Sequence, residues 1–310
     1  MLPVGDHTPD DFVLPRESLV ERLIKSPIRR YIYPAYNFFI HQRLSRKYQD
    51  SVLRPNLWLW GNRGNDYARN RRRVNRILPL SGKNILIVGC GFGRDVDSWL
   101  PYRPAHLVGV DYLNYDKAWC RLRQDAQERY PATRLDFFQA DITDLSRFSD
   151  ASFDLVGSDA VFEHVTDIGS VLKELHRVLR PGGILYAAYG PLWHCWGGDH
   201  ISGFDEIAAG YNHILLEQDA YKVYLDSAVR KVNFNDLYSR YGLFSYLRPA
   251  EYPSALADTG FERLFCGIVI EPKALRCLKE YPHLRTRLLK ENTEIDLITD
   301  GMIVIYKRNI

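Results

Sequence analysis

The chain has 310 residues, 25% charged and 46% apolar, with a net charge of +3; this is a globular composition, long enough for one large domain or a core with substantial additions. Its five cysteines (90, 120, 195, 266 and 277) are odd in number, scattered and free of any C-x-x-C pair, which argues against a disulfide framework or a zinc knuckle and suits a reducing cytoplasm. The opening MLPVGDHTPDD is acidic without an apolar centre, and no apolar run reaches membrane-spanning length, so neither a secretory signal nor a transmembrane helix is expected.

Residues 1–15 read as disordered or loosely docked. Glu17 to Lys25 has a helical pattern, and Ile28 to Leu44 is dense in aromatics but divided by Pro34, which breaks any continuous amphipathic face. The aromatic segment fits a lid, a strut on the core, or an interfacial helix on lipid. Trp58, Trp60 and GNRGN read as a loop, and Tyr67 to Leu78 as a helix. Residues 1–80 hold 15 Lys+Arg against 7 Asp+Glu, a net of +8 that leaves −5 for the remainder; the excess peaks at RNRRRVNR, Arg69 to Arg76. That stretch reads as a solvated helix face or as a patch making weak peripheral contact with anionic lipid or phosphate.

Asn84 to Asp95, NILIVGCGFGRD, organises the rest. Four apolar residues, Ile85 to Val88, end at glycines 89, 91 and 93, and a helix-compatible run follows. Strand, glycine loop and helix form the layout of a nucleotide-type site at the carboxyl edge of an open α/β sheet. The dinucleotide fingerprint G-x-G-x-x-G needs a glycine at 94 or 96, where Arg94 and Val96 stand. The spacing here is G-x-G-x-G.

Alternation continues with strands at His106 to Val110, Arg134 to Gln139, Phe153 to Ser158 and Ile184 to Tyr189. Helices are expected over Asn114 to Tyr130 and from an N-cap at Thr166 to Leu179, stopped by Pro181, Gly182 and Gly183. This rhythm predicts a parallel sheet covered by helices on both faces. Asp111 ends the strand that begins at His106, 22 residues after Gly89, where a carboxylate accepts hydrogen bonds from a ribose. Pro191 to Pro253 breaks the rhythm with seven tyrosines, three histidines and two tryptophans, and reads as an inserted cap. Pro249 to Asp258 is helical. Phe261 to Ile270 and Gly301 to Lys307 are strand-like.

The glycine loop, LVGVDYL, QADI (Gln139 to Ile142), FDLVGSDAVFEHV (Phe153 to Val165) and LKELHRVLRPGG (Leu172 to Gly183) together resemble the class I S-adenosylmethionine (SAM)-dependent methyltransferases, over about residues 80–190. The resemblance implies a Rossmann-like fold with a mainly parallel seven-stranded sheet closed by an antiparallel final pair. It implies an N-terminal helical extension or lid over residues 1–80, a SAM-binding core over 81–190, an inserted cap for substrate recognition over 191–255, and completion of the sheet over 256–310. By the same resemblance Gly89, Cys90, Gly91, Gly93, Asp111, Tyr112, Asp141, Ile142 and Asp159 contact SAM. The acid usual two residues before the first glycine is replaced by Ile87, for which Asp95 or Asp159 would substitute. The metal-binding E-x-x-E-H of some relatives reads Ala160, Glu163, His164 here, so no metal is expected; SDAVF at 158–162 is unlike the motif of DNA-base methyltransferases, so no nucleic acid is expected either.

The activity implied is O-methylation of a small molecule, sugar or glycan hydroxyl. A histidine suits the base such an acceptor needs, and His200, His194 and His164 are the candidates. His200 leads because Gly197 and Gly198 allow a turn over the cofactor, and adjacent Asp199 would raise its basicity if the two meet. An NAD-dependent oxidoreductase and an inactive binding module are the alternatives.

Overall fold

The computed structural model describes residues 56–59, 67–232 and 237–309. The readings placed on residues 1–55 and on the GNRGN loop lie outside them. Among the described residues the strands form one eight-stranded sheet in the order β1-β7-β8-β6-β5-β2-β3-β4.

The centre of the sheet comes from β2 (Asn84–Val88), β3 (His106–Asp111), β4 (Arg134–Gln139), β5 (Phe153–Asp159) and β6 (Leu179–Tyr189), all mutually parallel. These strands are apolar on both faces because both faces are covered. Along β2, Ile85 and Ile87 enter one core cluster while Leu86 and Val88 enter the other, the two-residue period of a strand. The chain runs outward from β2 to β4, then returns to place β5 on the other side of β2. The carboxyl ends of β2 and β5 therefore flank the topological switch point, where open sheets of this kind bind ligands.

Crossovers include α1 (Tyr67–Ile77), the short α2 (Arg94–Asp97), α3 (Asp116–Arg129) and α4 (Ile168–Val178). Helix α4 buries Val171, Leu172, Leu175 and Val178. Its N-cap is Asp167, accepting from Ser170 N, rather than Thr166: the carboxylate sits where the first free amides point. Pro181, Gly182 and Gly183 lie within β6, which begins directly after the helix, and the β5–β6 register shifts beside them. They make a bulge inside a strand, not a gap before one.

The cap carries α5 (Asn212–Leu215), α6 (Gln218–Val232) and α7 (Leu237–Tyr241), followed by α8 (Glu251–Asp258). Beyond it, β7 (Phe261–Ile270) and β8 (Thr299–Arg308) pair antiparallel, with β8 inserted between β6 and β7. Three helices, α9 (Pro272–Glu280), α10 (Pro282–Leu288) and α11 (Glu294–Ile298), connect the pair. The stretch around Trp58, read as loop, contains β1 (Asn56–Leu59), an eighth strand parallel to the outer half of β7. Four residues are too few for a periodicity signal, and the partner strand lies far along the chain.

Candidate active site

The glycine loop turns immediately after β2. Gly91 has φ +50° and a Cβ built on it meets no atom within 4 Å, so this point of the backbone faces open space. Its N–H donates to Asp111 Oδ2 at 2.7 Å and its carbonyl accepts from the Trp119 indole Nε1 at 2.7 Å. Trp119 is fixed in turn by stacking on Phe137, with ring centroids 5.3 Å apart. The other Asp111 oxygen accepts from Leu113 N at 2.9 Å. Burial pushes the Asp111 carboxyl up, opposed by the amides of Leu113, Gly91 and Tyr112. The result is a carboxylate of fixed orientation, with lone pairs left over, beside an unobstructed stretch of main chain.

Cys90 is buried under the loop, while Phe92, Tyr112 and Leu113 stand about half exposed around it. Ile142 packs against the core. Asp141 is exposed and accepts from Thr143 N and Oγ1 through one oxygen, leaving the other clear. The loop is also pressed onto the segment after β5: a Cβ at Gly89 would lie 2.1 Å from Val161 Cγ2.

Asp159 ends β5 and is buried. Arg71 Nη2 donates to its Oδ2 at 2.7 Å and Tyr186 OH to its Oδ1 at 2.8 Å. Burial raises the Asp159 carboxyl to about 6, with Arg71 pulling it down. Arg71 is 3% exposed, lies over the Trp99 ring at 5.1 Å and stands 3.7 Å from Asp95. Its Nε has no partner among the described residues, and it lines a cavity of about 580 Å³ with Tyr67, Arg94 and Asp95. Thus the centre of the basic run is not a solvated face. Asn70, Arg71 and Val74 are buried while Arg69, Arg72 and Arg76 are exposed. Ile87, where an acid was sought, is core at 1% exposure.

The three histidines occupy different surroundings. His164 ends the turn Phe162–His164 after β5; its Nδ1 donates to Leu243 O at 2.9 Å, and its ring stacks on Tyr238 at 3.8 Å. That hydrogen bond fixes the tautomer and leaves the lone pair on Nε2. His200 lies with its ring 4.9 Å from that of His164, at φ +68°, and its Nε2 is buried without a partner among the described residues. Burial lowers His164, and lowers His200 to about 4 with His164 adding to the effect. His194 instead bridges the cap to the C-terminal helices, Nδ1 to Asn292 Oδ1 at 2.9 Å and Nε2 to Tyr246 O at 3.1 Å.

Asp199 favours the charged form of His200, as expected, but burial and the neighbouring His164 outweigh it. Asp199 is fully buried and accepts from Ile201 N, Ser202 N, Ser202 Oγ and Tyr221 OH, with His213 Nδ1 at 3.7 Å. With those donors this carboxylate also knots the cap together. Trp193, Phe244 and Tyr246 pack ring on ring beside this cluster.

Sequence reasoning missed Arg71, whose burial is hidden among exposed arginines, and Trp119, which nothing local distinguishes from an ordinary core residue. Glu163, met as a fragment of a metal motif, was given only a structural or substrate-facing role. Glu163 is 2% exposed, and neither carboxylate oxygen has a partner among the described residues. No group of three or more His, Cys, Asp or Glu among the described residues is arranged to hold a metal, and no helix among them is long and apolar enough to cross a membrane.

Residues 86–187 match the family model described as "Methyltransferase domain". A ubiquinone biosynthesis O-methyltransferase of Pseudomonas aeruginosa is 31% identical over 120 residues, which are 38% of this chain and 50% of that protein. A sterol 24-C-methyltransferase of Aspergillus fumigatus is 33% identical over 103 residues, 33% of this chain and 26% of that protein. The matched part therefore spans half or less of the length of these curated relatives. Among solved structures, an S-adenosylmethionine-dependent methyltransferase from Mesorhizobium loti aligns with 78% of this chain and 99% of its own, at 18% identity and a TM-score of 0.47.

Proposed function

We propose, from the premise that residues 86–187 form a class I methyltransferase domain, that this chain transfers a methyl group from SAM to a hydroxyl oxygen of a small molecule, sugar or glycan. The observation that carries the reading is the Asp111 carboxylate held by the Gly91 and Leu113 amides beside the open face of Gly91. The residues present fit this cofactor. Asp111 would accept from its ribose hydroxyls, Tyr112 and Ile142 would border its adenine, and Asp141 would meet the adenine amino group. The unpartnered Arg71 Nε, with Asp95 and Asp159 near it, would hold its amino-acid end in place of the acid lost at Ile87.

The cofactor supplies a methyl carried on a sulfonium and already activated for in-line displacement. What remains for the protein is to hold the acceptor oxygen in line, to exclude water and to take the acceptor's proton. The acceptor belongs at the carboxyl ends of β5 and β6 under the cap, where Tyr238 and Trp193 offer rings to an aromatic or sugar face. His164, with its lone pair fixed on Nε2, and His200 beside it are uncharged at neutral pH and take the proton. His194, occupied at both nitrogens, has a bridging role. Exposed Arg69, Arg72 and Arg76 fall on one face of α1 and give a weak, salt-sensitive contact with anionic lipid.

Labelled-methyl transfer from SAM across phenols, catechols and sugars, with amines as the contrasting class, tests the reading. His164→Gln and His200→Ala should cut turnover by about 10²-fold with SAM affinity within twofold, whereas His194→Ala should leave turnover within about fivefold. Failure of the protein to bind SAM would sink the proposal; transfer to amines alone would overturn the choice of oxygen.

A further inference from the structure

Four carboxylates ring the carboxyl edge of the sheet: Asp95 in α2, Asp111 at the end of β3, Asp159 at the end of β5 and Glu163 in the turn that follows. The glycine loop joins two of them, through the Gly91 amide on Asp111 and through Gly89 packed against Val161 of the turn that carries Glu163, and Arg71 joins the other two, Asp95 and Asp159. Three of them are engaged: Asp111 by amides, Asp159 by Arg71 and Tyr186, and Asp95 by Arg71 and Arg94 at longer range.

Glu163 is the exception. It is as buried as the core, and neither oxygen is hydrogen-bonded to any described residue. The amides of Glu163 itself and of Gly190 pull in its favour, yet neither completes a hydrogen bond. The other acids acting on it are Asp300 of β8, itself raised to about 8 by burial, and Asp159 of β5; the tyrosines that feel its charge are Tyr67 of α1, Tyr189 of β6, Tyr238 of α7 and Tyr252 of α8, of which Tyr189 OH donates to Met302 Sδ and Tyr252 OH pairs with Ser245, and His164 is next in the chain. Leaving an ionised carboxylate buried and unpaired is costly. Its turn is nonetheless anchored on both sides: Val161 is pressed on Gly89 of the cofactor loop, and the Glu163 carbonyl accepts from Ser245 N of the cap at 2.9 Å.

We propose that Glu163 is the counter-ion of the sulfonium: it is a neutral carboxylic acid in the free protein, ionises when the cationic methyl donor binds, and takes its proton back when the donor has become a neutral thioether. The inference rests on the methyl-transfer reading above. The charges balance. Binding brings one positive charge in and releases one proton from Glu163 to solvent. After transfer the cation is gone, the carboxylate is again unpaired, and it recovers a proton from solvent. The site therefore favours the charged donor over the spent product, and pH sets by how much. Burial, with Asp300 and Asp159 adding to it, raises the free carboxyl to about 8; at pH 7 it is then about nine-tenths protonated.

The test needs no acceptor. Calorimetry of SAM and of S-adenosylhomocysteine (SAH) at pH 7, in buffers of different ionisation enthalpy, counts the protons released by each. The two share an amino-acid end and an adenosine, so subtraction leaves the effect of the sulfonium. The wild type should release up to about 0.9 proton more with SAM than with SAH. The SAM-over-SAH affinity ratio should rise about fivefold from pH 7 to pH 8 and flatten above. Glu163→Gln should erase both differences, and Glu163→Asp should restore part of each. Equal proton counts for SAM and SAH in the wild type overturn the assignment, even if the glutamine variant fails to fold. Binding of both with equal counts leaves the methyl-transfer reading standing; binding of neither removes that reading and this one together.

Discussion

Asp111 is where the fold and the proposed cofactor meet, so its removal has two separable effects. In Asp111→Ala the Gly91 and Leu113 amides, which donate at 2.7 and 2.9 Å, lose their acceptor. An unsatisfied donor costs about 1–3 kcal/mol where water cannot replace the partner. Leu113 is 45% exposed and rehydrates, so the cost falls mainly on Gly91 and loosens the glycine loop. The ribose loses charge-assisted hydrogen bonds of roughly 1.5–3 kcal/mol in total, a weakening of about 10- to 150-fold. Asp111→Asn separates the effects, since its single carbonyl oxygen satisfies one amide and its NH₂ opposes the other donor. Isothermal calorimetry with SAM, adenosine and methionine reads the outcome. Both variants should lose at least tenfold for SAM and for adenosine, with methionine affinity unchanged. Adenosine affinity equal to that of the wild type would refute the ribose assignment and move the nucleoside elsewhere along the edge.

Arg71→Met would leave the buried Asp159 with Tyr186 alone. Breaking a buried pair from one side costs about 3–5 kcal/mol, so urea unfolding should show a loss of that order; a loss below about 1 kcal/mol would mean that Asp159 is satisfied by protonation instead. Stability should also fall as pH rises. Asp159 is raised to about 6 and Glu163 and Asp300 to about 8, chiefly by burial, so the folded state holds these protons more tightly than the unfolded chain does. Their contribution is present in full below the unfolded pKa near 4 and is lost as pH climbs through 6 and 8. Melting temperature measured from pH 5 to pH 9 should decline, and Glu163→Gln should flatten the decline above pH 7. A melting temperature that rises to pH 8 would contradict the burial of these acids.

The strands from Asn84 to Tyr189 and the glycine loop were legible because their signals are local: short apolar runs, glycines at turns, an acid at a strand end. Asp111 was legible for the same reason. Arg71 was not, because charge counts alone cannot tell an arginine that enters the core from neighbours that leave it; the period joining Asn70, Arg71 and Val74 is visible only once the helix has something to pack on. Glu163 carries no local mark of being unpartnered, since that property depends on what Asp300, Tyr189 and the cap bring up to it. The expected help from Asp199 to His200 is outweighed by a tertiary fact as well: burial and the adjacent His164 ring hold the imidazole low, while Ser202 and Tyr221 share the carboxylate. The bulge at Pro181 to Gly183 shows a reading that is right about the residues and wrong about their setting, since a strand tolerates a turn signal where its pairing register is already shifting.

Strand β1 has a consequence for the order in which the molecule is made. Its partner segment, Gly267–Ile270, is synthesised roughly 210 residues later. The five parallel strands from β2 to β6 and the glycine loop lie wholly within residues 84–189, so the centre of the sheet is complete as sequence before the cap, β7 and β8 have been made. Folding proceeds by units as they leave the ribosome. The part of the sheet that would hold the cofactor therefore assembles first, with one edge of β6 open. That edge stays open through the making of the cap and the three helices after it, until β8 arrives to lie against β6. β1 finds its place only when β7 is fixed from the other side. The earliest residues of the sheet are thus among the last to join it, and the interval between is when this chain is most exposed to wrong partners at its strand edges.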